Sequence, residues 1–200
     1  MPVLWIIAAD KKEVPGIDVV LDEKKSDSLK IEFHTCGIGL WESFFNFTNL
    51  VNNNGRPDAI WLLGTAGSPR AEDIFKIGVS HHFLNTRFTD EELPDFLPAT
   101  WETGKSPLFK KPEGALAISL YSTFGISLST RHFEKNMAGA WENMEALSLS
   151  YVCYKNEIPF MAMVCCTNQI CSEGRMQWKR NFLVAGEKLV QALKKLLPKL

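Results

Sequence analysis

Residues 58–68 read Asp-Ala-Ile-Trp-Leu-Leu-Gly-Thr-Ala-Gly-Ser. Residues 59–63 are an unbroken apolar run of strand length, and the small residues from Gly64 to Ser68, followed by Pro69, bring it to a stop. A run with no polar alternation is what a strand covered on both faces requires, and such strands belong to sheets with helices on either side. Residues 3–8 and 159–166 have the same character. Residues 29–35 alternate instead, with Leu29, Ile31 and Phe33 set against Lys30, Glu32 and His34, as in a strand with one wetter face.

Between these runs lie helical spacings. Leu40, Phe44, Phe47 and Val51 mark a helix over 40–52, and Leu149, Val152 and Cys153 one over 145–156. Phe182, Leu189, Leu193 and Leu196 mark the inner face of a closing helix over 178–197. We further expect a strand over 79–88, a short helix over 115–123 and a strand over 125–129. Residues 89–112, rich in proline, acid and lysine, are expected to form a surface excursion or lid. Strands alternating with helices imply a layered α/β domain, and 200 residues suffice for one domain spanning 1–200.

Composition narrows the partners. The net charge is −1 and there is no basic run beyond a lysine-rich helix face at Lys188, Lys194, Lys195 and Lys199. Neither nucleic acid nor an anionic membrane is therefore expected as a partner. No stretch of 18 apolar residues occurs, and the apolar N-terminus runs into Asp10-Lys11-Lys12-Glu13, which suits a buried first strand better than a signal peptide. Five cysteines without a CxxC pair fit reduced thiols in the cytosol, and the spacing of Cys165, Cys166 and Cys171 does not suit zinc. No metal or cofactor is expected.

In open α/β sheets ligands bind beyond the carboxyl ends of the strands. The segments leaving those ends are 9–13, 37–39, 64–68, 130–134 and 167–170. Together they resemble the purine nucleoside phosphorylase and methylthioadenosine/S-adenosylhomocysteine nucleosidase superfamily. Residues 6–14, IIAADKKEV, look like the nucleosidases' first strand and acidic turn, which implies that Glu13 orients the attacking water. Gly37-Ile38-Gly39 matches the glycine turn opening the next helix. Residues 58–68 resemble the strand and Gly-Ser-Ala-Gly-Gly loop, with Thr65, Ala66 and Gly67 at the substrate and threonine in place of serine. Asn143-Met144-Glu145-Ala146 carries the Met-Glu-Ala signature that holds the ribose. Residues 159–168, PFMAMVCCTN, match the strand that ends in the base-binding pair, here Thr167-Asn168. The resemblance implies a three-layer αβα fold with a mixed central sheet, of the phosphorylase/hydrolase type. It also implies a small-molecule purine nucleoside as substrate and a homo-oligomer, a dimer or higher.

Two positions speak to the base. Nucleosidases acting on adenine nucleosides place Asp where this chain has Asn168, and an amide offers both a donor and an acceptor to a 6-oxopurine. Phe133-Glu134 resembles the pair of the trimeric phosphorylases, in which Phe packs on the purine and Glu accepts its N1–H. The phosphorylases' phosphate loop is missing, Leu63 stands where the hexameric ones carry Arg, and Glu13 would repel phosphate, so hydrolysis is favoured, with Arg70 the one nearby cation. Residues 167–178, TNQICSEGRMQW, resemble futalosine hydrolases, in which an Asn is followed by Arg and Trp at the start of the last helix. Futalosine carries hypoxanthine and a benzoate, for which Arg175 or Arg87 could supply a guanidinium fork. The chain departs from its relatives at Thr65, Val164 and Asn168. The alternatives are an inosine/guanosine nucleosidase or phosphorylase of salvage, a methylthioadenosine nucleosidase-like enzyme, and a non-catalytic nucleoside-binding protein.

Overall fold

The computed structural model describes residues 1–23, 28–85, 100–123, 125–129 and 139–200. Its centre is an eight-stranded mixed sheet. Strand β1 (Val3–Ala8) pairs in parallel with β2 (Lys30–Thr35) on one side and with β3 (Ala59–Ser68) on the other. Strand β3 then pairs in parallel with β8 (Phe160–Gln169), and β8 runs antiparallel to β4 (Ile77–Leu84). Strand β4 also carries β5 (Thr100–Glu102) and β6 (Leu116–Tyr121), and short β7 (Trp141–Glu142) links β6 back to β3. The pairings β3, β8, β4, β6, β7 thus close a circuit, from which β1 and β2 extend.

Alternation along the strands sorts side chains into two cores. Leu4, Ile6, Trp61, Leu63, Met161 and Met163 face α1 (Ile17–Asp22) and α4 (Gly174–Leu196). Trp5, Ile7, Ile60, Leu62, Ala162 and Val164 face α2 (Leu40–Asn54) and α3 (Ala146–Lys155). Both faces of β3 and β8 are covered, so all ten residues of β3 are buried, as its unbroken apolar run requires. The result is the expected three layers around a mixed sheet. Among the described residues no helix is long and apolar enough to cross a membrane.

Several local expectations are corrected. Residues 115–123 hold strand β6 and not a helix, because the ladder to β4 and β7 satisfies their backbone and buries Leu120 and Tyr121. Residues 125–129 form bends and not a strand, and the Ser127 amide is held by the Glu142 carboxylate, not by a ladder. Phe44 lies on the outer side of α2, 39% exposed, while Ser43 takes the inward position against Ser148 of α3. Strands β3 and β8 run on past the apolar stretches through Ser68 and Gln169, so the loop-like glycines of β3 are part of its ladder. Helix α4 begins at Gly174, four residues before the apolar spacing announces it. Of the suggested lid, 100–102 is strand β5, and 89–99 lies outside the described residues.

Candidate active site

The acidic turn after β1 is a 3-10 turn over Lys11–Glu13, started by the Asp10 side chain accepting from the Lys12 amide at 2.8 Å. It lies against α4 where that helix has Gly186. A Cβ there would come within 2.2 Å of the Glu13 carbonyl oxygen and 2.8 Å of Pro15 Cδ, so only glycine lets the helix come so close. The turn delivers Glu13 to a cleft of about 520 Å³ at the carboxyl ends of β1, β3 and β8. Thr65, Ala66 and Gly67 of β3 line the same cleft, whose short side chains leave the room.

Glu145 enters from the start of α3. Asn143, two residues earlier, fixes that helix end: its Oδ1 accepts from the backbone amides of Glu145 (3.0 Å) and Ala146 (2.7 Å), and its Nδ2 donates to the Thr65 carbonyl at 2.9 Å. Glu145 Oε1 in turn accepts from the Gly39 amide at 2.8 Å. Gly37 and Gly39 both have positive φ, 87° and 86°, which sets that amide toward the carboxylate. Met144 lines the cleft beside them, within 3.5 Å of where a Gly39 Cβ would stand. Asn168 lines the cleft from the end of β8. Its Oδ1 accepts from the Thr167 hydroxyl at 2.9 Å and its Nδ2 donates to the Gln169 carbonyl at 3.2 Å, so the second N–H of the amide has no acceptor among the described residues.

The two carboxylates are electrostatically strained. Burial, and then the Glu145 charge, push the Glu13 carboxyl up to about 8, against the pull of the Thr65 hydroxyl. Burial pushes Glu145 up to about 7, opposed by the Gly39 amide. Glu13 as a residue is only partly buried, yet its Oε2 is buried without a protein partner among the described residues, whereas Oε1 accepts from Thr65 Oγ1 at 3.4 Å. An acid poised near neutrality, with one buried oxygen that no described protein group answers, suits proton transfer.

Glu13, Thr65, Ala66, Gly67, Asn143, Met144, Glu145, Asn168 and the exposed Arg175 therefore share one cleft. Phe133, Glu134 and Arg87 lie outside the described residues. Arg70 is no part of the lining, since its Nε donates to buried Asp73 at 3.0 Å. The sequence marked Trp178 only as part of the 167–178 resemblance and gave it no role, and it missed Glu142: the Trp178 indole N–H donates to Thr65 Oγ1 at 3.1 Å, and Glu142 anchors the 125–129 bends that wall the cleft. A tryptophan one turn into a helix looks like core, and only the folded register of α4 against β3 shows its use.

No protein-family model and no curated protein matches the sequence. Solved structures match over their whole length. A Helicobacter pylori methylthioadenosine/S-adenosylhomocysteine nucleosidase variant with 5′-methylthioadenosine in its active site superposes with a TM-score of 0.79, at 15% identity over 100% of both chains. Futalosine hydrolase of the same organism gives 0.79 at 15% identity, over 100% of this chain and 98% of its own. The Colwellia psychrerythraea methylthioadenosine/S-adenosylhomocysteine nucleosidase, in complex with adenine, gives 0.77 at 16% identity, over 100% and 96%. This is the nucleosidase fold. Within it, the cleft described above occupies the carboxyl ends of the strands, where α/β sheets bind ligands. Identity at this level fixes a shared chain path and leaves the chemistry to the side chains.

Proposed function

We propose that the chain is a nucleosidase that hydrolyses the N-glycosidic bond of a 6-oxopurine nucleoside, with futalosine as the substrate and hypoxanthine as the released base, in the route to menaquinone. The observation that carries this reading is Glu13: a buried, unpartnered carboxylate oxygen in the same cleft as Glu145 and Asn168. In the reaction, water oxygen bonds to C1′ as the bond from C1′ to the base nitrogen breaks, and the electron pair leaves with the base. The water proton passes to Glu13. Glu145 holds the ribose hydroxyls and Met144 packs on the sugar. The free N–H of Asn168 steadies the charge growing on the departing base. An amide cannot release a proton, so the one that neutralises the base comes from solvent.

Hydrolysis is preferred to phosphorolysis because three acids, Glu13, Glu142 and Glu145, line the cleft and Arg70 is tied to Asp73. Arg175, exposed at the rim beside Lys179, suits an anionic substituent such as a benzoate. Phe133 and Glu134 complete the base site in this reading. We place the protein in the cytosol, in keeping with five free cysteines, and as a homo-oligomer. Trp41 and Phe45 of α2, 70% and 66% exposed, support the latter, since large apolar side chains at a surface favour a partner. The test is to incubate the pure protein with futalosine, inosine and methylthioadenosine, each with and without phosphate. Hypoxanthine from futalosine without phosphate is expected. Strict phosphate dependence, adenine release alone, or tight binding without turnover overturns the reading.

A further inference from the structure

The Thr65 hydroxyl stands between two groups of opposite habit. On one side the Trp178 indole N–H, 3.1 Å away, can only donate. On the other, Glu13 Oε1 lies 3.4 Å away and, when ionised, can only accept. A hydroxyl has one proton. With the indole proton directed onto its oxygen, that single proton is directed to Glu13, and donation into the oxygen makes the O–H a better donor in its turn. The Thr65 main chain is fixed as well, through the bond from Asn143 Nδ2 to its carbonyl. Trp178 is held by stacking on Phe182, with ring centroids 5.1 Å apart and planes 19° apart.

We propose that Trp178 is a positioning residue that acts through Thr65 on Glu13, setting the hydroxyl so that it stabilises the ionised carboxylate needed to accept a proton from water. This deepens, and rests on, the reading of Glu13 as the base. The other charged or titratable groups around Glu13 are Glu145 from the start of α3, Glu142 of β7, Cys36 beyond β2, Asp10 on the same turn, and Arg175 and Lys179 of the cleft on α4. None of them donates a hydrogen bond to Glu13 among the described residues, and the hydroxyl that does is the one the indole holds.

The test follows the Glu13 carboxyl by carbon-13 NMR across pH, its signal assigned with Glu13→Gln and separated from Glu145 with Glu145→Gln. Trp178→Phe keeps a ring on Phe182 and removes the N–H. Trp178→benzothienylalanine does the same with the bicyclic shape retained, should phenylalanine disturb the fold. The Glu13 midpoint is expected to rise by about half a pH unit in either, which corresponds to about a threefold loss of kcat/KM below the midpoint and none above it. Thr65→Val should raise it at least as far, Thr65→Ser should leave it near the parent value, and Trp178→Phe should add nothing in the Thr65→Val background. An unmoved midpoint on loss of the indole N–H, or effects of Trp178 and Thr65 that add, overturns the proposal. Because the titration needs no substrate, it separates the relay from the activity: a moved midpoint together with full hydrolysis by Glu13→Gln would refute the base, not the hydrogen-bond chain.

Discussion

Replacing Glu13 by glutamine should make the protein more stable in alkali and leave it nearly unchanged in acid. Folding raises the Glu13 carboxyl from its ordinary 4.5 to about 8, mainly through burial. The folded state therefore favours the protonated acid. Its contribution is whole below the unfolded value and is lost as pH rises through the folded one. At about 1.4 kcal/mol per pH unit, the gap corresponds to a ceiling of roughly 5 kcal/mol. Glu13 is only partly buried and its cleft opens to solvent, so about half of that, roughly 2–3 kcal/mol, is expected by pH 9. Glutamine keeps the shape and the acceptor for Thr65 but never ionises. Urea unfolding of parent and variant at pH 5 and pH 9 measures the effect, and groups elsewhere cancel in the difference between the two proteins. A variant whose advantage at pH 9 is no larger than at pH 5 would refute the argument that burial of this carboxylate is what strains the site.

Three further outcomes test other parts of the structure. Asn168→Asp exchanges a donor for an acceptor at the base, so the ratio of kcat/KM for hypoxanthine over adenine nucleosides should fall at least about tenfold in paired assays; an unchanged ratio would remove Asn168 from base recognition. Gly186→Ala places a methyl 2.2 Å from the Glu13 carbonyl oxygen, so the helix must shift, at a cost of about 1–3 kcal/mol in urea unfolding. Asn143→Ala leaves the Glu145 and Ala146 amides without their acceptor and should cost about 2 kcal/mol of stability, while thermal melts of Asn54→Ala, at the exposed end of α2, stay close to the parent.

The layers were legible because burial on both faces removes polar alternation, and β1, β3 and β8 show that directly. The segment at 115–123 was misread because a short apolar run with small residues fits either period, and what decides it is the ladder supplied by β4, a strand nearly forty residues earlier. Residues 125–129 look like a strand by composition, but their backbone is answered by the Glu142 carboxylate, a partner no local pattern announces. Of the cleft residues, Glu13 and Asn168 sit in segments that leave strand ends, whereas Asn143 and Glu145 were singled out only by the Met-Glu-Ala resemblance; the fold brings all four to one cleft. Trp178 was marked by the 167–178 resemblance, but its contact with Thr65 was not legible, since it depends on how α4 turns against β3. Gly186 likewise reads as an ordinary helix glycine until the Glu13 turn is seen resting on it.

One irregularity in the sheet reaches further than its size. Opposite Ala66 and Gly67 the pairing of β8 slips by one residue, so that Thr167 is left over and Gly67 meets Asn168. The spare threonine spans the gap, its hydroxyl reaching both the Ala66 carbonyl and the Asn168 side chain. Up to Cys166 the strand answers to the hydrophobic interior, and at Asn168 it borders the cleft. A strand divided in this way can exchange one side chain for another at its tip while the scaffold behind it keeps its alignment. A change of one codon at position 168 would thus alter the chemistry that the cleft presents, with no repacking to follow.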